Sequence, residues 1–548
     1  MPSFVRSVRA NAGLAALCLS FAWTVQAAPP AAPAVTAGAD LKTLRFDWNY
    51  VPQANRYELW FRANDGATWA KFGDTPSYRP RITSGVSAHL LDWNQARYQV
   101  RACNPSGCTG SAPIGVQTLM PNTIGYFKAS SLHNKARFGL VSAISEDGNT
   151  MAAFTAEETA PYHPQFAIYI FRKTNGQWRQ EERLFVATDF GHPSGYGYFN
   201  TGLDSPYDAS LSLSADGNVM TATYPMHSIH APAFQKAIMF SIYRREEGRW
   251  LERVQYLNSE ADTGSLGRVS AEVNDAGDRI LFRPGFGKPV KLLVAGQQPW
   301  SWNEREIFNP RSDLANGYAC PQVRLSGSGE VVAWTCARLV RPDEKHLFVD
   351  NLADPSSSYS APLDFPAGHF LGELAVDHDG RTIATGTFYG SSDATDPRNR
   401  IQIFRAPESP GGSWSAEEPL FPGAWNASPP SSFGISLDLS RDGKLLAVVD
   451  PGDEGAGTGV LSPPLAAGGT ATGATYVYEL REAGPRLRRV LKPNNAIPLG
   501  GLQGGVAAFA QNGKTLLVSE PDEPGNSPGI DGDRNRLGRD RTGAIWLY

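Results

Sequence analysis

The chain has 548 residues, of which 41% are hydrophobic and 19% are charged. This length is sufficient for two or more domains with full cores. Its 50 basic and 54 acidic residues leave a formal net charge of −4. That balance argues against nucleic acid as a partner, because nucleic-acid binding relies on a strongly basic surface.

The first 27 residues have the pattern of a secretory signal peptide. Arg6 and Arg9 precede an apolar stretch from about residue 12 to residue 23, and Ala27 ends the small-residue cleavage pattern. The apolar stretch is too short to cross a bilayer comfortably, and no later stretch approaches that length. We therefore expect residues 1–27 to be removed and the mature protein, without a transmembrane segment, to be secreted, periplasmic or held at the cell surface.

Residues 28–39, rich in Ala and Pro, predict a flexible leader, and short alternating strands follow over residues 40–118. Regularly spaced short strands are typical of a small all-β sandwich. Trp48 in an early strand, Tyr57-x-Leu59 and the stretch from Tyr98 to Cys108 resemble a fibronectin type III domain. We expect its aromatic residues to form the core.

A four-residue turn of roughly the form Ser-x-Asp-Gly, always ending in Gly, recurs seven times after residue 122. The turns are at residues 145–148, 214–217, 274–277, 326–329, 377–380, 440–443 and 510–513. Asp-Gly or Asn-Gly between two apolar runs predicts a β-hairpin, because the tight turn needs a positive φ. The turn spacing leaves room for four strands in each repeat, which predicts an all-β fold with a seven-bladed β-propeller over residues 122–548.

The two ends of this repeat region also predict how the ring closes. The last repeat ends at a third strand, residues 544–548, and a strand before the first turn, residues 124–128, has no other partner. We expect these two strands to pair within one blade, which would remove an open and aggregation-prone sheet edge.

Two repeats carry a more specific signature. Phe138-Gly139 precedes the first turn and Phe433-Gly434 precedes the sixth. With the following Ser and Asp-Gly residues they resemble the FG-GAP repeat of integrin-α-type propellers, whereas the other repeats keep the turn and lose Phe-Gly. The resemblance implies a seven-bladed ring and an extracellular binding or cell-adhesion role.

Four cysteines remain after the predicted cleavage, in two local pairs. Cys103 and Cys108 flank a turn sequence, and Cys320 and Cys336 flank the fourth repeat turn symmetrically. Residues placed symmetrically about a hairpin turn lie opposite each other, and an exported protein permits disulfides. We therefore predict Cys103–Cys108 and Cys320–Cys336 disulfides in preference to metal ligation or thiol chemistry.

Calcium is the one candidate cofactor. The repeat turns lack the alternating acids of a calcium loop, so their aspartates are expected to form turns. Asp531, Asp533 and Asn535 have the alternate spacing that a calcium loop begins with, and Asp540 offers a further oxygen. The arginines among them favour salt bridges as the other interpretation.

Paired acids follow the second strand of three repeats. They are Glu157 and Glu158, Asp453 and Glu454, and Asp522 and Glu523. If the ring closes as predicted, these repeats are neighbours, and the pairs cluster in one sector of the face where the longest loops emerge, roughly residues 450–473 and 519–542. We call this the long-loop face. Long loops on a rigid scaffold commonly carry binding sites. We predict that this acidic sector binds a cation or a basic ligand; solvated loop charge is the alternative.

Motifs of enzymes are scarce. The sequence has no Gly-x-Ser-x-Gly elbow, no phosphate loop and no His-Glu-x-x-His helix. We therefore expect a monomeric binding or adhesion protein that recognises a protein, glycan or cation-dependent ligand. A secreted hydrolase or lyase with a site assembled from several blades is the alternative, and a structural spacer is a third possibility.

Overall fold

Strands make up nearly all of the regular structure. The computed structural model describes residues 28–158, 164–185, 209–227, 236–258, 269–284, 289–298, 300–308, 318–338, 341–389, 399–408, 413–424, 432–468, 472–492, 505–538 and 541–548. Short 3₁₀ helices lie at Met120–Thr123 and Pro355–Ser357. Within the described residues, no helix has the length and apolar character that crossing a membrane requires. The predicted signal peptide, residues 1–27, lies outside them.

The chain divides into two compact units. Among the described residues, the first contains residues 28–37, Arg45–Thr83 and Gln95–Gly115, and the second contains Gly38–Leu44, Ser84–Asn94 and Val116–Tyr548. The unit boundaries thus interleave around residues 38–44 and 84–94, whereas the sequence analysis places a single boundary between residues 118 and 122.

Eight strands between residues 35 and 115 form two sheets. They are β1 (Val35–Asp40), β2 (Thr43–Trp48), β3 (Arg56–Arg62), β4 (Ala70–Pro76), β5 (Arg81–Gly85), β6 (Arg97–Asn104), β7 (Gly107–Gly110) and β8 (Ile114–Gly115). One sheet has the order β1-β2-β5 and the other β4-β3-β6-β7, with β8 also on β6. Phe46 and Tyr98 have ring centroids 5.0 Å apart and join the two sheets. Strand β1 occupies part of the segment that the sequence predicts as a flexible leader.

Seven further sheets, numbered one to seven here, are formed by the described part of residues 125–548. Sheets one to three contain β10 (Ser142–Ile144), β11 (Thr150–Glu158), β12 (Pro164–Thr174) and β13 (Gln177–Phe185); β14 (Ser210–Leu213), β15 (Val219–His227), β16 (Lys236–Glu246) and β17 (Arg249–Asn258); and β18 (Ser270–Val273), β19 (Arg279–Arg283), β20 (Val290–Ala295) and β21 (Trp302–Phe308). Sheets four and five contain β22 (Tyr318–Leu325), β23 (Val331–Arg338), β24 (Arg341–Asn351) and β25 (Tyr359–Pro362); and β26 (His369–Val376), β27 (Thr382–Tyr389), β28 (Ile401–Arg405) and β29 (Ser415–Ala416). Sheet six contains β30 (Ser436–Leu439), β31 (Leu445–Asp450), β32 (Gly459–Leu461), β33 (Ala474–Arg481) and β34 (Gly484–Lys492), and sheet seven contains β35 (Ala507–Ala510), β36 (Thr515–Glu520), β37 (Ala544–Leu547) and β9 (Gly125–Phe127).

The first strands of these seven sheets form a closed circle. Strands β10, β14, β18, β22, β26, β30 and β35 contact one another in this order, and β35 contacts β10. Sheet seven joins the two ends of the repeat region, because β9 pairs with β37 through Tyr126 opposite Trp546. The observed pairs, residues 125–127 with 545–547, lie within the segments that the sequence analysis pairs.

The repeated turn builds each sheet and also links it to the next. The turn glycines adopt positive φ values, such as 69° at Gly148 and 64° at Gly443. Asp147 Oδ1 accepts a hydrogen bond from Asn149 N at 2.9 Å, which confirms the predicted turn-forming role of that aspartate. The same turn reaches its neighbour, since Asp147 N donates to Ala215 O at 2.9 Å, and Gln511 N of sheet seven donates to Glu146 O at 2.7 Å.

The apolar core lies between successive sheets. Phe138 is fully buried against sheets seven and one, and Phe433 occupies the equivalent place in the cluster of sheets five and six. Burying one such side chain contributes about 2–3 kcal/mol. Both predicted disulfides are present: Cys103–Cys108, and Cys320–Cys336, which joins β22 to β23.

Candidate functional site in the central channel

The first strands surround a cavity of about 350 Å³. Each first strand places the residue two positions before its turn on the cavity wall. In sheet order these residues are Ala143, Ser212, Glu272, Arg324, Ala375, Asp438 and Ala508. Side chains alternate along a strand, so this position faces the channel while its neighbours pack between sheets. Polar and charged residues therefore concentrate in sheets two, three, four and six.

Several of these polar side chains satisfy the open edges of neighbouring first strands. Ser212 Oγ accepts a hydrogen bond from Val273 N at 3.2 Å, and Ser210 Oγ accepts one from Ala271 N at 3.0 Å. Glu272 Oε2 accepts from Leu325 N at 2.9 Å in the next sheet. A first strand has one edge without a strand partner, and an unsatisfied buried N–H is costly. These contacts therefore give the channel serines and Glu272 a structural role.

A charged group spans sheets three to five. Arg324 pairs with Glu272, and its other terminal nitrogen lies 2.8 Å from Glu373 Oε2. Arg324 Nε also donates to Leu374 O at 2.9 Å. Burial raises the pKa of Glu272, and the Arg324 cation opposes that rise. The guanidinium is therefore fixed between two carboxylates, and its charge is balanced within the channel wall.

Asp438 stands on the wall without an ion pair among the described residues. Its Oδ2 accepts a hydrogen bond from Phe509 N at 2.6 Å. Burial raises the pKa of Asp438 to about 7, and the backbone hydrogen bonds only partly offset this. A carboxyl group with this pKa exists in both protonation states near neutral pH, so it can accept a hydrogen bond or a proton, or donate one.

Three side chains meet at the turn end of the channel. His378 Nδ1 lies 2.7 Å from Asp275 Oδ2, and Arg441 pairs with the same carboxylate. Arg441 Nη2 lies 2.9 Å from His378 Nε2. Because Asp275 belongs to sheet three and Arg441 to sheet six, which are not neighbours, this contact crosses the channel. It fixes the relative positions of three sheets at this end.

The paired acids of the predicted acidic sector differ in their burial and in their ion pairs. Asp453 is fully buried, 2.5 Å from Lys492 Nζ. Glu523 is also buried and pairs with Lys128, whereas Glu454 is partly exposed. Glu157 and Glu158 lie on β11, but their side chains are outside the described part of the structure.

Asp522, like Glu523, is buried next to a cationic side chain. Its side chain is 2% exposed, and Oδ1 lies 3.2 Å from Arg137 Nε. The described sector is therefore an array of internal ion pairs, with Glu454 as its accessible member.

The predicted calcium loop is held by hydrogen bonds to protein atoms. Asp531 Oδ1 accepts from Tyr126 N at 3.0 Å and lies 3.6 Å from Arg534 Nη2. Asp533 Oδ1 accepts from Asn535 N at 3.0 Å. Asp540 lies outside the described residues. Among the rest, the one group of three His, Cys, Asp or Glu side chains with converging ligand atoms contains the disulfide-bonded Cys103 and Cys108.

The channel residues escaped the sequence analysis, although a signal for them exists. Glu272, Arg324 and Asp438 all lie two positions before the first residue of a repeat turn. The turn index therefore marks the channel position in each repeat, and charge there stands out against Ala and Ser in the other repeats.

No protein-family model matches the chain, and no curated protein matches its sequence. The chain is similar to the β-propeller domain of Swd1 from Myceliophteria thermophila, with 12% identity, 77% of this chain and 99% of that chain covered, and a TM-score of 0.42. It is also similar to the Pseudomonas aeruginosa periplasmic gluconolactonase, with 12% identity, coverage of 80% and 97%, and a TM-score of 0.38. For an auxiliary nutrient binding protein from Bacteroides thetaiotaomicron the identity is 8%, the coverage 94% and 97%, and the TM-score 0.32. At these values the similarities carry no argument for an activity of this chain.

Proposed function

We propose that this protein is an exported, monomeric binding or adhesion protein, built from a fibronectin type III-like module and a seven-bladed FG-GAP-like propeller. The two Phe-Gly sites support the FG-GAP assignment. Gly139 and Gly434 have φ values of 86° and 90°, and each donates its N–H to a second-strand carbonyl, that of Phe154 and Val449 respectively. The two fixed disulfides fit an oxidising compartment outside the cytoplasm.

The single observation that carries the binding proposal is the channel cavity. Its volume of about 350 Å³ lies at the small end of ligand pockets, and its wall presents the Asp438 carboxyl group on a rigid circle of strands. We propose that a polar group of a protein or glycan ligand enters the channel from the long-loop face. Asp438 then binds a hydroxyl or cationic group of this ligand.

An array of glycans and extracellular proteins tests this function. The strongest hit is titrated against the wild type and Asp438→Asn, with Asp65→Asn, an exposed site in the first unit, as the matched control. Loss of a hydrogen bond to a charged acceptor costs about 1.5–3 kcal/mol, so we expect binding to weaken roughly tenfold to a hundredfold. An array without hits, or equal affinities for all three proteins, contradicts the proposal.

The acidic sector is a second proposed contact area. Because Asp453, Asp522 and Glu523 are buried and Glu454 is partly exposed, Glu454 is the residue through which we propose that the sector contacts a basic ligand. Glu454→Gln is the suitable variant, since substitution of the buried acids would disturb their ion pairs. Unchanged affinity of that variant for a basic hit argues against the sector.

Calcium binding at Asp531, Asp533, Asn535 and Asp540 is likewise a proposal. The loop presents oxygen ligands, which calcium prefers, but three arginines lie within the same stretch. A rise in melting temperature at millimolar calcium, abolished in Asp533→Asn, would support the site. An unchanged melting temperature would argue against it.

A hydrolase or lyase is the second candidate function, and one observation favours it. Asp438 has its pKa raised to about 7 inside a cavity, which suits a general acid or base. Turnover of polysaccharide or ester substrates by the purified protein, lost in Asp438→Asn, would establish it. Binding of a hit without turnover would favour the binding function.

A further inference from the structure

Four polar side chains meet inside sheet six at the end opposite the turn. Asp450 ends β31, Asp453 follows three residues later, and Lys492 ends β34. Lys492 Nζ lies 2.5 Å from Asp453 Oδ1, and Tyr476 donates its hydroxyl hydrogen to the other carboxylate oxygen. The exposure of Asp450, Asp453 and Tyr476 is 0% and that of Lys492 is 1%, so the group is shielded from bulk solvent.

The same constellation recurs in sheet seven. Glu520 ends β36, Glu523 follows three residues later, and Lys128 directly follows β9, the fourth strand of this sheet. Lys128 pairs with Glu523, and Tyr126 donates its hydroxyl hydrogen to Glu523 Oε1 at 2.9 Å. An acid-Pro-x-acid stretch and a lysine at the end of the fourth strand are therefore common to both sheets, with Asp in one and Glu in the other.

In each sheet the pKa of the first acid is raised above that of an ordinary carboxyl group. Burial raises the pKa of Asp450 to about 7, and the neighbouring Asp453 carboxylate raises it further. Burial likewise raises the pKa of Glu520 well above its usual range, and Glu523 adds to this. The lysine cation opposes this rise in each sheet. A backbone hydrogen bond holds each first acid beside the second, from Asp453 N to Asp450 O at 3.3 Å and from Glu523 N to Glu520 O at 3.2 Å.

We propose that the lysine and the second acid of each constellation condense into an amide, forming Lys492–Asp453 and Lys128–Glu523 crosslinks. The lysine first transfers a proton to the carboxylate, which leaves an amine and a carboxylic acid. A dry interior favours this neutral pair over separated charges. The Nζ lone pair attacks the carboxyl carbon, a C–N bond forms, and the C–OH bond breaks.

The first acid acts as the proton donor and acceptor in this reaction. Asp450 in sheet six, or Glu520 in sheet seven, donates its proton to the departing hydroxyl group and accepts one from the attacking nitrogen. One water leaves for each amide, and no oxidant, reductant or cofactor is consumed. The tyrosine hydroxyl polarises the carboxyl group that is attacked, as a hydrogen-bond donor does in acyl-transfer sites.

The two crosslinks would act at different scales. The Lys492–Asp453 bond would tie the second strand of sheet six to its fourth strand. The Lys128–Glu523 bond would join residues 395 positions apart, across the sheet that both ends of the repeat region share. The second crosslink would therefore prevent the ring from opening even after its hydrogen bonds are lost.

Mass spectrometry of the purified full chain, denatured and with its disulfides reduced, tests the proposal. The expected mass is lower by two waters than the mass calculated from the mapped N-terminus. A protease digest should contain linked peptides that join residue 492 to 453 and residue 128 to 523. Lys345 serves as an internal control, because it is buried 4.0 Å from Asp343 and lacks this constellation.

Each outcome decides the proposal. A loss of one water, assigned by its linked peptide, supports the proposal for that pair and overturns it for the other. A mass equal to that of the sequence overturns it for both. Asp450→Asn and Glu520→Gln keep the ion pairs and remove the first acids, so the folded variants should lack the crosslinks. Crosslinks that persist in them would refute the proton-transfer role of the first acids.

Discussion

Replacing Asp438 by Asn should change how stability depends on pH. The variant keeps an amide oxygen where Asp438 Oδ2 accepts the Phe509 N–H at 2.6 Å. It removes a carboxyl group whose pKa rises from 3.8 to about 7 in the folded protein, chiefly through burial. A raised carboxyl pKa means that the folded state holds the proton more tightly than the unfolded state does. Wild-type stability should therefore fall as the pH rises from about 4 to about 7.

The size of this effect follows from the pKa difference. One pKa unit corresponds to about 1.4 kcal/mol, so the full difference is roughly 4 kcal/mol. Asp438 is partly open to channel water, which reduces the cost, and about 2–4 kcal/mol is a fair expectation. In a unit of this size, 1 kcal/mol shifts the melting temperature by about 1 °C. Asp438→Asn should therefore melt about 2–4 °C above the wild type at pH 8 and close to it at pH 4.

Scanning calorimetry at pH values from 4 to 8 provides the measurement. Asp65→Asn, with its side chain 69% exposed, is the matched control and should follow the wild type throughout. A difference in melting temperature between Asp438→Asn and the wild type that stays constant from pH 4 to pH 8 would refute the argument that burial raises the pKa of this carboxyl group. The difference in melting temperature, Asp438→Asn minus wild type, should increase from pH 4 to pH 8. A difference that decreases over this range would mean that the pKa of Asp438 is lowered rather than raised.

Three further perturbations follow from the packing. Gly217→Ala should lower the free energy of unfolding by about 2–4 kcal/mol in a denaturant titration, because φ is +62° and the new Cβ would lie 2.3 Å from Thr150 Oγ1. The control Gly176→Ala, at φ +79° in open space, should lower it by about 1 kcal/mol. Equal losses in the two variants would contradict the packing argument. Arg324→Gln should lower the free energy of unfolding by about 2–3 kcal/mol since Glu272 and Glu373 would lose their shared cation, whereas Arg341→Gln at an exposed pair should cost less than about 1 kcal/mol. The Cys320→Ser and Cys336→Ser double variant should lose about 3 kcal/mol, measured as a lower melting temperature, because the bond closes a 16-residue separation; an unchanged melting temperature would count against that stabilisation.

The regular parts of the fold were predictable because they are local. Five of the seven turns contain Asp-Gly or Asn-Gly between apolar runs, and the other two keep the glycine. The disulfide at Cys320 follows from symmetry about the fourth turn. The strand over Val35–Asp40 was not predictable in the same way. Its Ala-rich and Gly-containing sequence has low strand propensity, and pairing with β2 in the tertiary structure overrides that preference.

The candidate site was harder to predict, since burial cannot be read from a loop sequence. Asp453 and Glu523 look like exposed acids until the fourth strand brings Lys492 and Lys128 to them across the sheet. Asp438 was hard to predict for another reason, because it occupies an ordinary alternating position of a short strand. Its raised pKa arises only when seven such strands close into a circle and remove most of the water.

The central claim is that a ligand group enters the channel and contacts Asp438. Isothermal titration of the strongest array hit into the wild type, Asp438→Asn and Glu454→Gln tests it most directly. The account predicts roughly tenfold to hundredfold weaker binding by Asp438→Asn, and a basic hit that also contacts the acidic sector should lose affinity in Glu454→Gln as well. Full affinity in Asp438→Asn together with a loss in Glu454→Gln would contradict it and move the site to the acidic sector.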